Sequence, residues 1–135
     1  MSDNMICITG NVVRPVELKF TNTGTAAARF SVAVNKKGYN GSEDTTSYFD
    51  IDCMGSLAEN VANSLEAGSR VIVSGELRQR SWDTPEGQKR SVVEIKATSV
   101  GPDLRWATAA ITKTSSGNAV RPAVKVPVYD VEEAF

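Results

Sequence analysis

Arg78, Arg80 and Trp82 stand two residues apart in a run, Arg70–Trp82, that has the make-up of a β-strand. Side chains alternate between the two faces of a strand, so these three share one stripe of two guanidinium groups and an indole. Lys89 and Arg90 follow a turn-rich segment, Asp83-Thr84-Pro85-Glu86-Gly87, and extend the same surface. Cations beside exposed rings suit an unpaired nucleic-acid strand, whose bases stack on the rings while its phosphates meet the cations. Tyr39, in a polar loop, and Tyr48, on the outer face of another strand, offer two more rings. The same stripe is also the make-up of a solvated strand face whose alkyl stems shield a barrel, and taken alone it does not choose between the two.

Asp50 and Asp52 share the face of Tyr48 and Met54, where bare carboxylates would repel phosphates. A carboxylate pair on one face also raises a metal-dependent nuclease. A metal site needs further ligands and groups that orient them, and the neighbouring sequence offers no such set. The chain has no histidine, which excludes Ser-His-Asp and Cys-His nucleophiles and HExxH zinc sites. Cys7 and Cys53 form no CxxC pair and read as small buried hydrophobes in a reducing compartment. The expectation is therefore no catalytic set, no metal and no cofactor. Net charge is −1, and residues 1–112 carry 12 basic against 13 acidic side chains, so strand binding would rest on where charges sit. The N-terminus lacks a basic stretch followed by an apolar one, and no apolar run reaches membrane length, so a cytoplasmic protein is expected.

The elements that must carry these residues follow from periodicity. Met5–Val13 reads as a strand with Ile6, Ile8 and Val12 on one face, Gly10 marking a bend or bulge. After a turn at Asn22-Thr23-Gly24, Ala27–Asn35 alternates with Ala28, Phe30, Val32 and Val34 inward. A polar loop spans Lys36–Thr45, and the third strand, Thr46–Met54, sends Phe49, Ile51 and Cys53 inward. The period then changes: Ser56 and Glu59 fit a capping box, Leu57, Val61 and Leu65 recur every four residues, and Gly68 reads as the stop. Arg70–Trp82 and Ser91–Val100 complete the set. Strand, strand, strand, helix, strand, strand is the order of an OB-fold: an all-β, five-stranded Greek-key barrel with one short helix between strands three and four.

Longer runs carry a resemblance. Ile8-Thr9-Gly10-Asn11-Val12 with Pro15-Val16-Glu17-Leu18-Lys19-Phe20 resembles the first strand and following turn of bacterial single-stranded DNA-binding proteins. Ala28-Arg29-Phe30-Ser31-Val32-Ala33 resembles their second strand, and Leu57-Ala58-Glu59-Asn60-Val61 their helix. Gly68-Ser69-Arg70-Val71-Ile72-Val73-Ser74-Gly75-Glu76-Leu77 is similar to their fourth strand, and Gln79 to Ser91 to the hairpin that follows. Gly101-Pro102-Asp103-Leu104-Arg105-Trp106-Ala107-Thr108-Ala109 is similar to the actinobacterial branch.

The resemblance implies an OB-fold domain over residues 1–112 that assembles as a homotetramer and wraps single-stranded DNA during replication, recombination and repair. Its stacking positions fall on Trp82, Tyr48, Tyr39 and Met54, the last standing where the family usually has an aromatic residue. Arg78, Arg80, Lys89, Arg90 and Arg29 would meet phosphates. Met54, Asp50 and Asp52 depart from the pattern and imply weaker or more salt-sensitive binding. In the actinobacterial relatives the Gly101–Ile111 segment adds a C-terminal strand that clasps a neighbouring subunit. Residues 113–135 form a short tail ending in Asp130, Glu132, Glu133 and Phe135, which keeps acidic and aromatic elements of a partner-recruiting tip but lacks the family's terminal proline. Val124, Val126 and Val128 fit equally well with a tail packed on the domain. A rival function is an OB-fold protein-interaction module with weakened DNA affinity.

Overall fold

The computed structural model describes residues 3–114. Within them the chain forms β1 (Met5–Val12), β2 (Glu17–Phe20), β3 (Ala26–Lys36), β4 (Thr45–Met54), α1 (Ser56–Ser64), β5 (Arg70–Asp83) and β6 (Lys89–Pro102). The sheet order is β1-β5-β6-β4-β3-β2, and β1 also pairs with β3, so the sheet closes on itself. The expected OB arrangement is present. β2 is a second segment of the first barrel strand, set off around Pro15, whose ring removes a backbone donor.

Closure depends on where β1 changes partner. Met5 to Asn11 pair with β5, while Asn11 and Val12 pair with Ala33 and Val32 of β3. A Cβ at Gly10 would lie 2.3 Å from the Ala33 carbonyl oxygen and 2.8 Å from Cγ1 of Val32. Gly10 thus marks a close approach of two backbones; the bulge lies elsewhere, at Ser74/Gly75 in the β5–β6 ladder.

Alternation places one β-branched or large apolar residue after another inside. Val12, Val32, Ile51, Val71, Val73 and Ile95 are fully buried and come from five different strands. α1 packs mainly on β3 and β4 and covers the barrel with Ala58 and Val61, joined by Leu65 just beyond its end.

Three expectations need correction. The Ser56/Glu59 capping box does not form: Gly55, at φ 69°, is the N-cap, and Ser56 is already helical. The Gly55 N–H bonds the Ala26 carbonyl at 2.8 Å, so the chain leaves β4 and turns at a residue free to take positive φ. The helix also stops before Gly68; Leu65 is extended, and Gly68 at φ 92° serves a later turn whose N–H reaches the Val12 carbonyl at 2.7 Å. Cys53 is buried but Cys7 is exposed, because it falls between the inward-facing Ile6 and Ile8. Apart from these, β6 runs on to Pro102, and residues 103–114 are turn or irregular in the single chain, where no neighbouring subunit is present for them to clasp. There the Asp103 carboxylate accepts from Arg70 Nε at 2.8 Å and from the Arg105 N–H at 3.1 Å, which turns the backbone aside. The acidic tip, the valine-rich stretch before it and the rest of the 115–135 segment lie outside the described residues.

Two predictions follow from this packing. Gly10→Ala forces β1 away from β3, and overpacking of this kind costs about 1–3 kcal/mol or more. The urea midpoint should fall with the m-value unchanged. The cysteines should separate chemically: in native protein at pH 8 an alkylating reagent modifies Cys7, and Cys53 reacts only after denaturation. Burial, with a smaller contribution from the Asp52 charge, pushes the Cys53 thiol from 9.0 up to about 12. Below 9.0 it is neutral folded or unfolded; from there to about 12 the unfolded chain ionises first. Stability should therefore decline with rising pH in that window, and less so in Cys53→Ala.

Candidate nucleic-acid interface

The outer face of β2, β3, β4, β6 and β5 brings the singled-out residues into one register. Across β3 and β4, Ala33 sits opposite Tyr48, Ser31 opposite Asp50, Arg29 opposite Asp52 and Ala27 opposite Met54. Glu17 and Lys19 of β2 face Arg29 and Ala27. Across the β5–β6 hairpin, Glu76 pairs with Lys96, Arg78 with Glu94, Arg80 with Val92 and Trp82 with Arg90. A parallel contact between Asp52 and Lys96 joins the two halves. The result is an open groove of about 470 Å³ lined by Lys19, Arg29, Asp52, Met54, Arg78, Glu94 and Lys96, among others.

Two of its acids, Asp52 and Glu94, are paired with arginines of the same chain. Arg29 donates from Nε to Asp52 Oδ1 at 2.7 Å and from Nη2 to Glu94 Oε2 at 3.1 Å. Arg80 donates from Nε to the other Glu94 oxygen at 3.0 Å. The Asp52 hydrogen bond pushes the Arg29 pKa up, burial pulls it partly back, and the charges of Asp52, Glu94 and Asp50 add to the rise. Asp50 accepts the Ser31 hydroxyl at 2.9 Å. Asp52 is therefore not the bare carboxylate that would repel phosphates, while Asp50 keeps its charge beside a neutral hydroxyl. Among the described residues no group of three or more His, Cys, Asp or Glu side chains could hold a metal ion.

Arg78 makes no ion pair among the described residues and lines the groove, as do Lys19 and Lys96. Trp82 is 43% exposed, with the Arg80 guanidinium 4.9 Å from its ring centre. Together with Lys89 and Arg90 it lines a second open recess at the hairpin tip. Met54 lines the groove.

Two expected platforms are less integrated. Tyr48 lies on the same face but, at 67% exposed, lines neither recess. Tyr39 is in the β3–β4 loop, 79% exposed, and likewise lines neither. That loop is tied at its base by the Gly38 N–H to Asp44 Oδ1, 2.8 Å, and turned by Asn40 and Gly41 at positive φ. Arg29 is present in the groove, but its guanidinium is spent on two acids of the same chain.

Sequence reasoning missed Glu94, Lys96, Lys19 and Glu17. Glu94 was recoverable: the Thr84–Gly87 turn fixes the hairpin register, closed by the Gly87 N–H to the Thr84 carbonyl at 2.9 Å. Counting back from Asp83 opposite Lys89 puts Glu94 across from Arg78. Lys19 and Glu17 required knowing that β2 is a strand, and its four exposed residues give no burial pattern to read.

Comparison with known proteins bears on this surface. Residues 3–103 match the model of the single-strand binding protein family. A single-stranded DNA-binding protein of Mycobacterium tuberculosis is 42% identical over 132 residues, taking in 90% of this chain and 79% of that protein. One from Mycolicibacterium smegmatis is 42% identical over 118 residues, 84% of this chain and 72% of that one. Among solved structures, the small single-stranded DNA-binding protein from Streptomyces coelicolor aligns with TM-score 0.64 and 32% identity, over 77% of this chain and 97% of that one.

Proposed function

The chain belongs to the single-strand binding protein family, and we propose that it holds single-stranded DNA with little regard to sequence, coating strands exposed in replication, recombination and repair. The observation that carries this reading is Trp82, an exposed indole flanked by Arg80 and Arg90 at the hairpin tip, on the same strand as Arg78, which makes no ion pair among the described residues. Bases stack on Trp82 and Tyr48, with Met54 as an apolar contact. Phosphates meet Arg78, Lys89, Arg90, Lys19 and Lys96, and the terminal nitrogens of Arg80, whose Nε alone is taken by Glu94. Arg29 is a weaker candidate for phosphate contact than the sequence implied, because it is paired twice. Tyr39 would join only when a strand reaches the loop. The action is binding rather than catalysis and calls for no cofactor. Residues 1–112 act as the binding domain, working in the cytoplasm.

A homotetramer is part of the same proposal. From Met5 to Gly10, β1 is paired on one side only among the described residues, and an open strand edge is a natural place for a second chain. Leu104, Trp106 and Ile111 are 58%, 71% and 91% exposed, which suits the 101–111 segment to a neighbouring subunit. The rival protein-interaction reading draws on the internal pairing of Arg29 and Arg80, which leaves fewer free cations for phosphates.

Oligo(dT) should quench tryptophan fluorescence, and Trp82→Ala should weaken binding about 10-fold, inside the ~1–3 kcal/mol typical of one stacked base. Affinity should fall with salt at a log–log slope of roughly 0.7 per phosphate neutralised. Absence of both quenching and a gel shift would favour the protein-interaction reading. Light scattering after size exclusion should give about four times the 14.5 kDa chain mass, and a monomer would refute the tetramer.

A further inference from the structure

Glu94 points to the outer face of the barrel, yet it is only 8% exposed, because Arg29 and Arg80 lie over it. Each carboxylate oxygen receives one guanidinium: Oε1 from Arg80 Nε at 3.0 Å, Oε2 from Arg29 Nη2 at 3.1 Å. Oxygens so covered have given up water for these two donors, and losing either leaves one without a partner. The donors are constrained in return. A bond from Nε fixes the plane of the Arg80 head, whose carbon stands 4.9 Å from the centre of the Trp82 ring. Its two terminal nitrogens have no hydrogen-bond partner among the described residues. On the other side, Arg29 spans from Glu94 to both oxygens of Asp52. A continuous line of contacts, Asp52–Arg29–Glu94–Arg80–Trp82, thus crosses β4, β3, β6 and β5.

We propose that Glu94 is a positioning residue for strand binding, acting through Arg80 to hold the Trp82 ring and one guanidinium edge ready for a base and its phosphate. The inference rests on the reading that this face binds single-stranded DNA. It makes a prediction opposite in sign to simple charge counting. Removing a negative charge from a phosphate-binding surface should tighten binding if only net charge matters. Removing the anchor of two guanidinium groups should loosen it if geometry matters.

The test uses a Trp106→Phe parent, in which Trp82 is the only one of the chain's two tryptophans left. Oligo(dT) titrations compare this parent with the same protein carrying Glu94→Gln or Glu94→Asp. The Gln variant should bind roughly 5- to 10-fold more weakly, a part of one stacking contact, and show a smaller quench of Trp82. The free Gln variant should also show lower steady-state anisotropy of Trp82, reporting a less ordered ring. Glu94→Asp, which keeps the charge, should recover part of the affinity and quench. If Glu94→Gln fails to fold, Arg80→Gln breaks the same link at an exposed residue and should lower quench and anisotropy alike. Affinity equal to or tighter than the parent's, with quench and anisotropy unchanged, overturns the positioning role. Oligo(dT) that leaves the unsubstituted chain unshifted in a gel assay overturns the strand-binding reading and this inference with it.

Discussion

β1 takes part in two pairings at once, and the barrel exists because one residue lets it do so. On one side its backbone runs along β5; at Asn11 and Val12 it meets β3, and the Ala33 carbonyl occupies the space a side chain at residue 10 would need. With that approach made, the sheet has an inside and an outside. Every strand is then committed to alternation, and six fully buried aliphatic side chains meet in the interior. The positions between them are forced outward, and there the groove residues arise: Arg29 between Ala28 and Phe30, Asp52 between Ile51 and Cys53, Lys96 between Ile95 and Ala97.

On that outer face the physics is one of local neutralisation rather than net charge. The chain's balance of −1 offers little long-range attraction for a polyanion. Its acids, however, are not spread at random. Glu94 and Asp52 are matched to Arg29 and Arg80 at hydrogen-bond distance, and Asp50 to a serine hydroxyl. Among the groups left without an ion pair in the described residues, cations outnumber acids: Arg78, Lys19 and Lys96 against Glu17 in the groove, and Lys89 and Arg90 against Asp83 at the hairpin tip. Short-range geometry, not overall sign, decides what this face attracts.

The parts of this arrangement differ in how plainly the sequence announces them. The central parts of Ala26–Lys36 and Thr45–Met54 alternate because each has one face in the core, so their inward residues were readable one by one. The Arg78, Arg80, Trp82 stripe follows from the same rule. β2 was hidden because all four of its residues are exposed, and a strand without a buried face leaves no periodic trace. The helix boundaries were misread because backbone geometry at Gly55 outweighed a plausible pair of capping side chains. Glu94 was overlooked for a different reason: its burial comes from two arginines that are distant in sequence, and only the pairing of strands reveals them.

The β5–β6 hairpin continues past the barrel. From Arg78 to Asp83 and from Lys89 to Val93 its residues are exposed or half-exposed, and Val93, in phase with the buried Ile95, is 53% exposed. This arm has no core of its own beneath it, so its cohesion comes from the ladder and cross-strand neighbours. Its local opening free energy is consequently lower than that of the barrel. The grip and the scaffold thereby become separable traits. Substitutions at Trp82, Lys89 or Arg90 act on the ligand with little tax on folding, leaving the arm open to adaptive tuning. Glu94 sits where arm joins barrel and is the point at which that freedom ends.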